Sequence, residues 1–212
     1  MTQLQNLAKI LRKKSLLLNL FSAGDREKLE EKHIPDSLAV LDFCELSGRV
    51  LDIGTGGGLP GLALALSCDA EFVLMDAREK KVRVVEEMIE ELELENASGV
   101  AGRFEDLARE EGYREKFDFA TARAVAPLPV LLEYAAGFLN LGGVLLAWKG
   151  RDWEEELKEA ENALDVLGVG FVEAFDYELP GGEKRSILKF EKTKKLDEKY
   201  PRRSGVPKAR PL

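Results

Sequence analysis

Histidine and cysteine are almost missing from this sequence: there is one His, at position 33, and two Cys, at 44 and 68. No Cys-x-x-Cys pair occurs. A zinc site built from Cys and His is therefore excluded, as is a disulfide framework, and no metal is expected. Two isolated thiols suit a reducing compartment and read as small buried apolar residues. Long apolar runs are lacking too, since no stretch approaches the ~20 residues of a membrane span. The N-terminal segment sets Lys9, Arg12, Lys13 and Lys14 before Leu16-Leu17-Leu18. It has neither the long apolar core nor the small-residue cleavage site of a signal peptide. The expected location is the cytoplasm, with no membrane partner.

What is present describes a folded protein. With 212 residues, 45% hydrophobic and 33% charged, the chain can bury one sizeable core. One globular unit with short attachments is expected, and a monomer. The net charge of −8 is unevenly spread. Residues 1–24 hold four basic and no acidic side chains, and residues 192–212 hold eight basic and two acidic ones. The acidic body between them thus has two basic ends, which read either as solvated termini or as a handle for a polyanion.

The hydrophobic periodicity predicts an amphipathic helix over residues 4–20, with apolar Leu4, Leu7, Ala8, Leu11 and Leu18. A short helix capped by Asp25 follows, and another from Asp36 to about Glu45. From residue 49 strands and helices alternate. Strands are predicted at 49–53, 71–76, 98–102, 117–122 and 143–149. Helices are predicted at 59–66, 79–94, 127–138 and 153–167. Two last strands, near 170–178 and 185–191, flank Pro180-Gly181-Gly182. The alternation implies an α/β fold: a mostly parallel sheet with helices on both faces. The last two strands lack a helical crossover and should pair antiparallel. A helical cap (1–46), a central domain (47–192) and a basic tail (193–212) are expected. Ligands of such sheets bind at the carboxyl ends of the strands.

The strongest motif is Asp52-Ile53-Gly54-Thr55-Gly56-Gly57-Gly58-Leu59-Pro60-Gly61, which follows a strand and opens a helix. Glycine there lets the chain turn sharply and approach a ligand closely. Asp76, closing the next strand, can accept hydrogen bonds from ribose hydroxyls. The string also satisfies Gly-x-Gly-x-x-Gly, the dinucleotide pattern. Two features oppose that reading. Asp52 sets a negative charge beside the loop, and Pro60 removes a backbone donor where a pyrophosphate would sit. S-adenosylmethionine has no phosphate and carries a sulfonium cation, which a carboxylate favours.

Asp-x-Gly-x-Gly-x-Gly after the first strand, with an acid ending the second, resembles the signature of class I methyltransferases, which implies a Rossmann-like seven-stranded sheet. The fuller string resembles the 16S rRNA guanine-N7 methyltransferases, the RsmG or GidB family. His33-Ile34-Pro35-Asp36-Ser37-Leu38, Thr121 to Ala126, Lys149-Gly150 and the basic Lys199-to-Pro207 segment resemble further elements of that family. The chain departs from the pattern at Asn19-Leu20-Phe21, at Arg103-Phe104-Glu105 and at Ala209. The resemblance implies that S-adenosylmethionine binds at Asp52, Gly54, Gly56, Gly58, Leu59, Asp76, Phe104, Glu105 and Arg123. It also implies a 16S rRNA substrate within the 30S subunit.

Methyl transfer from a sulfonium is an in-line displacement, so the enzyme chiefly aligns the two partners. Guanine N7 offers a free lone pair, and no general base is needed. An Asn-Pro-Pro-Tyr element of the kind used on exocyclic amines is absent after the fourth strand. Neither cysteine is placed as a nucleophile. Arg123, Lys149 and Arg185 stand at strand ends and could clamp a phosphate or the guanine O6 edge. His33 reads equally as a substrate contact or a structural residue. In the tail, Lys199, Tyr200, Arg202, Arg203, Lys208 and Arg210 combine cations with one aromatic, as RNA binding requires. Pro201, Pro207 and Pro211 argue against helix there. A small-molecule methyltransferase and a non-enzymatic nucleotide- or RNA-binding protein are the competing classes.

Overall fold

The computed structural model describes residues 2–18, 20 and 22–212. Asn19 and Phe21, and the side chains of Leu17 and Leu18, lie outside that description.

The helical attachment comprises α1 (Gln3–Leu18), α2 (Ala23–Glu27), a π-helical turn (Leu29–His33), α3 (Ile34–Leu38) and a 3-10 turn (Ala39–Asp42). Ser22 caps α2, accepting the Asp25 N–H at 3.2 Å, whereas Asp25 was expected at that cap. Asp36 lies inside α3 and is buried, so it begins no helix.

The body follows as β1 (Arg49–Ile53), α4 (Gly61–Ala65), β2 (Glu71–Asp76), α5 (Glu79–Glu91), β3 (Ala97–Ala101), α6 (Phe104–Leu107), β4 (Phe117–Arg123), α7 (Leu128–Phe138) and β5 (Leu139–Lys149). It ends with α8 (Trp153–Glu159), α9 (Glu161–Leu167), β6 (Val169–Leu179), β7 (Glu183–Lys192) and α10 (Val206–Ala209). The seven strands form one sheet in the order β3-β2-β1-β4-β5-β7-β6. The first five are parallel, and β7 runs antiparallel to both neighbours. This is a Rossmann-like architecture: the alternation of strands and helices implied its mostly parallel sheet, and the family resemblance its seven strands. Strand β1 is almost continuously buried, because helices cover both faces of a parallel sheet.

Two apolar cores result. One face packs α6, α7 and α9 and also takes Leu196 and Tyr200 of the tail. The other packs α1, α3, α4 and α5. The N-terminal attachment and the C-terminal tail therefore cover opposite faces of the sheet.

Further details differ from the sequence pattern, among them the short helix α6, which it did not predict. Residues 153–167 form two helices joined at Ala160. Strand β5 starts at Leu139 and absorbs Gly142-Gly143 as an irregularity in its pairing with β4. The tail contains the short helix α10 despite its prolines, because Pro207 occupies the first turn, where its missing N–H has no helical partner to lose.

Candidate active site

The strand order reverses between β1 and β4, and their carboxyl ends diverge into a cleft of about 850 Å³. The turn after β1 is its floor. Gly54, Gly56 and Gly58 have φ of 72°, 58° and 96°, in the left-handed region where a side chain is strained. A Cβ at Gly54 would lie 2.8 Å from Val125. At Gly56 the reason differs. A Cβ there would meet nothing nearer than Lys81 Nζ at 3.6 Å, so the protein leaves the space over this turn unfilled.

The turn is braced from behind by Asp52, which is 0% exposed. Its Oδ2 accepts the Gly61 N–H at 3.1 Å and its Oδ1 accepts the Thr121 hydroxyl at 2.9 Å. Burial pushes its carboxyl pKa up, while these donors pull it down. Asp52 thus ties β1, β4 and α4 together and does not itself line the cleft. Asp76 accepts Gly56 N–H at 3.1 Å and Arg78 N–H at 2.9 Å, and Lys81 stands 3.8 Å from it.

Of the sequence-predicted cofactor residues, Gly54, Gly56, Leu59 and Arg123 line the cleft. Gly58 and Asp76 lie within or against the same turn. Phe104 and Glu105 are buried in α6, just after β3, and do not line the cleft. The Glu105 carboxylate is occupied by the Gly205 N–H at 2.8 Å. All four predicted positioning residues, His33, Arg123, Lys149 and Arg185, face the cleft.

Each of these four side chains has a carboxylate partner. Arg123 Nη1 donates to Asp36 Oδ2 at 2.8 Å and to the His33 carbonyl at 3.1 Å. Lys149 Nζ donates to Glu156 Oε2 at 2.5 Å. Arg185 pairs with Glu183 at 2.5 Å, which also holds Lys32. His33 Nε2 lies 3.2 Å from Asp25. Burial, reinforced by the Arg123 charge, holds the His33 pKa below its ordinary value and favours the neutral ring.

Asp36 is the junction that sequence reasoning overlooked. Besides Arg123, its carboxylate accepts the Tyr177 hydroxyl at 2.5 Å, and its carbonyl accepts Trp148 Nε1 at 2.8 Å. Burial and the adjacent carboxylate push the Tyr177 pKa well up, so the phenol stays a donor. One residue of the N-terminal attachment thereby reaches β4, β5 and β6. Its place in the His33-to-Leu38 motif was the available signal. Glu156 had no comparable signal, because its partner Lys149 is defined only by folding. Ala124, next to Arg123, has φ of 57°, an uncommon conformation for alanine that turns the chain over the cleft.

In the tail the predicted RNA contacts divide. Tyr200 is buried against the body and Arg202 is paired with Glu133, so neither side chain is presented as an open contact. Lys199, Arg203, Lys208 and Arg210 are exposed.

Among the described residues no helix is long and apolar enough to cross a membrane, and no cluster of acidic, His or Cys side chains could hold a metal ion.

Residues 1–178 match the sequence model of the family described as GidB, rRNA small subunit methyltransferase G. The ribosomal RNA small subunit methyltransferase G of Syntrophomonas wolfei is 44% identical over 184 residues, covering 86% of each chain. The enzyme of that name from Leuconostoc citreum is 39% identical, covering 99% of this chain and 90% of its own. Among solved structures, a SAM dependent methyltransferase from Aquifex aeolicus aligns with a TM-score of 0.58 at 18% identity, over 82% of this chain and all of its own. TYW2 of M. jannaschii, crystallised in complex with AdoMet, aligns with a TM-score of 0.59 at 16% identity, over 76% of each chain. These structural likenesses establish the shared fold.

Proposed function

Because this chain belongs to the rRNA small subunit methyltransferase G (GidB) family, we propose that it transfers a methyl group from S-adenosylmethionine to N7 of a guanine in 16S rRNA, acting on the 30S subunit. The observation that carries the reading is the open glycine turn at the strand-order reversal, facing a cleft lined with paired cations.

The backbone of Gly54, Gly56, Gly58 and Leu59 would hold the cofactor, with Asp76 toward its ribose. The backbone at Phe104-Glu105 would take the adenine, and Arg123 would close the site. Bound there, the cofactor supplies an electrophilic methyl group on a sulfonium. The protein's own residues then align and shield. Arg123, Lys149 and Arg185 would orient the guanine or its phosphate, each held in place by its carboxylate. His33, neutral at pH 7, would shape the wall of the cleft. Asp25, Asp36 and Glu156 line the cleft, and each is engaged by His33, Arg123 or Lys149. That pairing supports a transfer in which no proton is removed from the nucleophile before attack. The exposed cations of the tail would meet RNA phosphates.

The test is tritium transfer from labelled S-adenosylmethionine to 30S subunits from a strain lacking this methylation, with nucleoside analysis. Label in 7-methylguanosine of the 16S RNA is expected. No label in the RNA, with the cofactor still bound, would overturn the rRNA assignment.

A further inference from the structure

Helix α7 carries one charged side chain, Glu133, in a segment buried along its whole length, and Glu133 is 0% exposed. An ionised carboxylate in that position is unfavourable unless it is fully paired. Its partner comes from the tail. Arg202 grips it with two nitrogens, Nε at 2.9 Å and Nη2 at 2.6 Å, and the Arg202 N–H adds a third donor at 2.7 Å.

The neighbouring contacts give the tail a direction. Helix α7 follows β4, so its first turn lies at the carboxyl rim of the sheet, where the cleft opens. Pro201 packs where a Cβ on Gly137, near the far end of α7, would touch it at 3.0 Å. Arg202 meets Glu133 about one turn nearer the rim. Gly205 meets Glu105 in α6, immediately after the carboxyl end of β3. The tail therefore climbs α7 to the rim. Body arginines hold its carbonyls: Arg109 donates to Lys199 and Pro201, and Arg114 to Tyr200. Arg203, between the anchors at Arg202 and Gly205, is exposed, as are Lys208 and Arg210 beyond them, with Arg103 exposed two residues before Glu105. No ion pair to any of these four is found among the described residues.

We propose that Glu133 is a positioning residue for substrate RNA: by docking the tail through Arg202 it fixes Arg203, Lys208 and Arg210 at the rim as one phosphate-binding surface. The inference rests on the RNA substrate proposed above. The ligand is the RNA backbone flanking the methylated base, read through its phosphates.

Equilibrium binding to unmethylated 30S subunits across a salt series tests it, alongside methyl transfer. The variant with Arg203→Ala, Lys208→Ala and Arg210→Ala changes only exposed side chains. It should weaken binding about tenfold or more and flatten the salt slope by about 2 to 3. Glu133→Gln should weaken binding to a similar extent, with the affinity for S-adenosylmethionine unchanged. Arg202→Lys, which keeps the charge but loses the two-nitrogen grip, should behave alike. Adding Glu133→Gln to the triple variant should weaken binding no further. Unchanged binding in folded Glu133→Gln and Arg202→Lys would overturn the proposal, as would multiplicative losses in the combination. Should Glu133→Gln fail to fold, Arg202→Lys and its combination with the triple variant decide the same question. Wild-type protein that transfers no methyl group while the variants still lose binding would sink the proposed reaction and leave the docking intact.

Discussion

At the N-terminal end, Lys14 bridges to Glu87 and Glu91 of α5 at 2.7 and 2.6 Å, and Arg12 to Glu30 at 2.9 Å. At the C-terminal end, Lys192 is fully buried, donating to Glu115 and to the carbonyls of Ala136 and Leu139, and Arg202 is locked onto Glu133. Both ends are basic in sequence, and they cover opposite faces of the sheet. They differ in the depth of the carboxylate each finds. Glu87, Glu91 and Glu30 are partly exposed, whereas Glu133 has no contact with water. The first end uses charge to fasten a helix at the surface. The second spends two cations inside and presents Arg203, Lys208 and Arg210 outside.

Stability measurements should separate the two. Arg202→Ala leaves Glu133 buried without a counter-ion and should destabilise the protein by about 3–5 kcal/mol, read from denaturant midpoints. Lys14→Ala removes a cation from two carboxylates that water can reach, and about 1 kcal/mol is expected. Arg12→Ala, whose guanidinium side chain is itself far more exposed than Lys14 and has one carboxylate partner, should cost about 0.5 kcal/mol or less. Equal losses at Arg202 and Lys14 would break the contrast between the two ends.

A smaller effect should appear as the pH falls below neutrality, from His33 on the N-terminal side. Burial and Arg123 lower the His33 pKa, so the folded state binds fewer protons there than the unfolded chain. Stability from this group is present above about 6.5, the unfolded value, and falls as pH drops through the window down to the lowered folded pKa. The single histidine makes the test direct. Its imidazole NMR titration should give a midpoint below 6.5, and His33→Gln should flatten the stability profile in that window. A midpoint above 6.5 would mean that Asp25, 3.2 Å away, outweighs burial.

The sheet and its turn were legible because they depend on local pattern. Alternating strands and helices, five glycines within residues 54–61 and an acid closing β2 are properties of short segments. Their spacing placed the cleft and brought Arg123, Lys149 and Arg185 to it, whereas His33 reaches it through the fold of the N-terminal attachment. The break at Ala160 and helix α10 were missed, because caps and packing override periodicity over a few residues. Asp52 was read as a charge beside the ligand, yet three elements converge on it and enclose it.

The tail shows where such reading ends. Its composition declared a basic segment, and the family resemblance pointed to RNA. Which cations are free could not be read from either, since Arg202 and Arg203 are adjacent and chemically identical. One turns toward a carboxylate 69 residues away in sequence and the other toward water. The sequence by itself determined the layered fold, the glycine turn and the basic residues at the strand ends, because backbone conformation and hydrophobic periodicity are written locally; Lys32 and Lys81 join them at the cleft only through folding. Only the tertiary structure decided which charges are paired, through Asp36, Glu133 and Glu156. Pairing depends on distance and burial, and those exist only once distant segments have met.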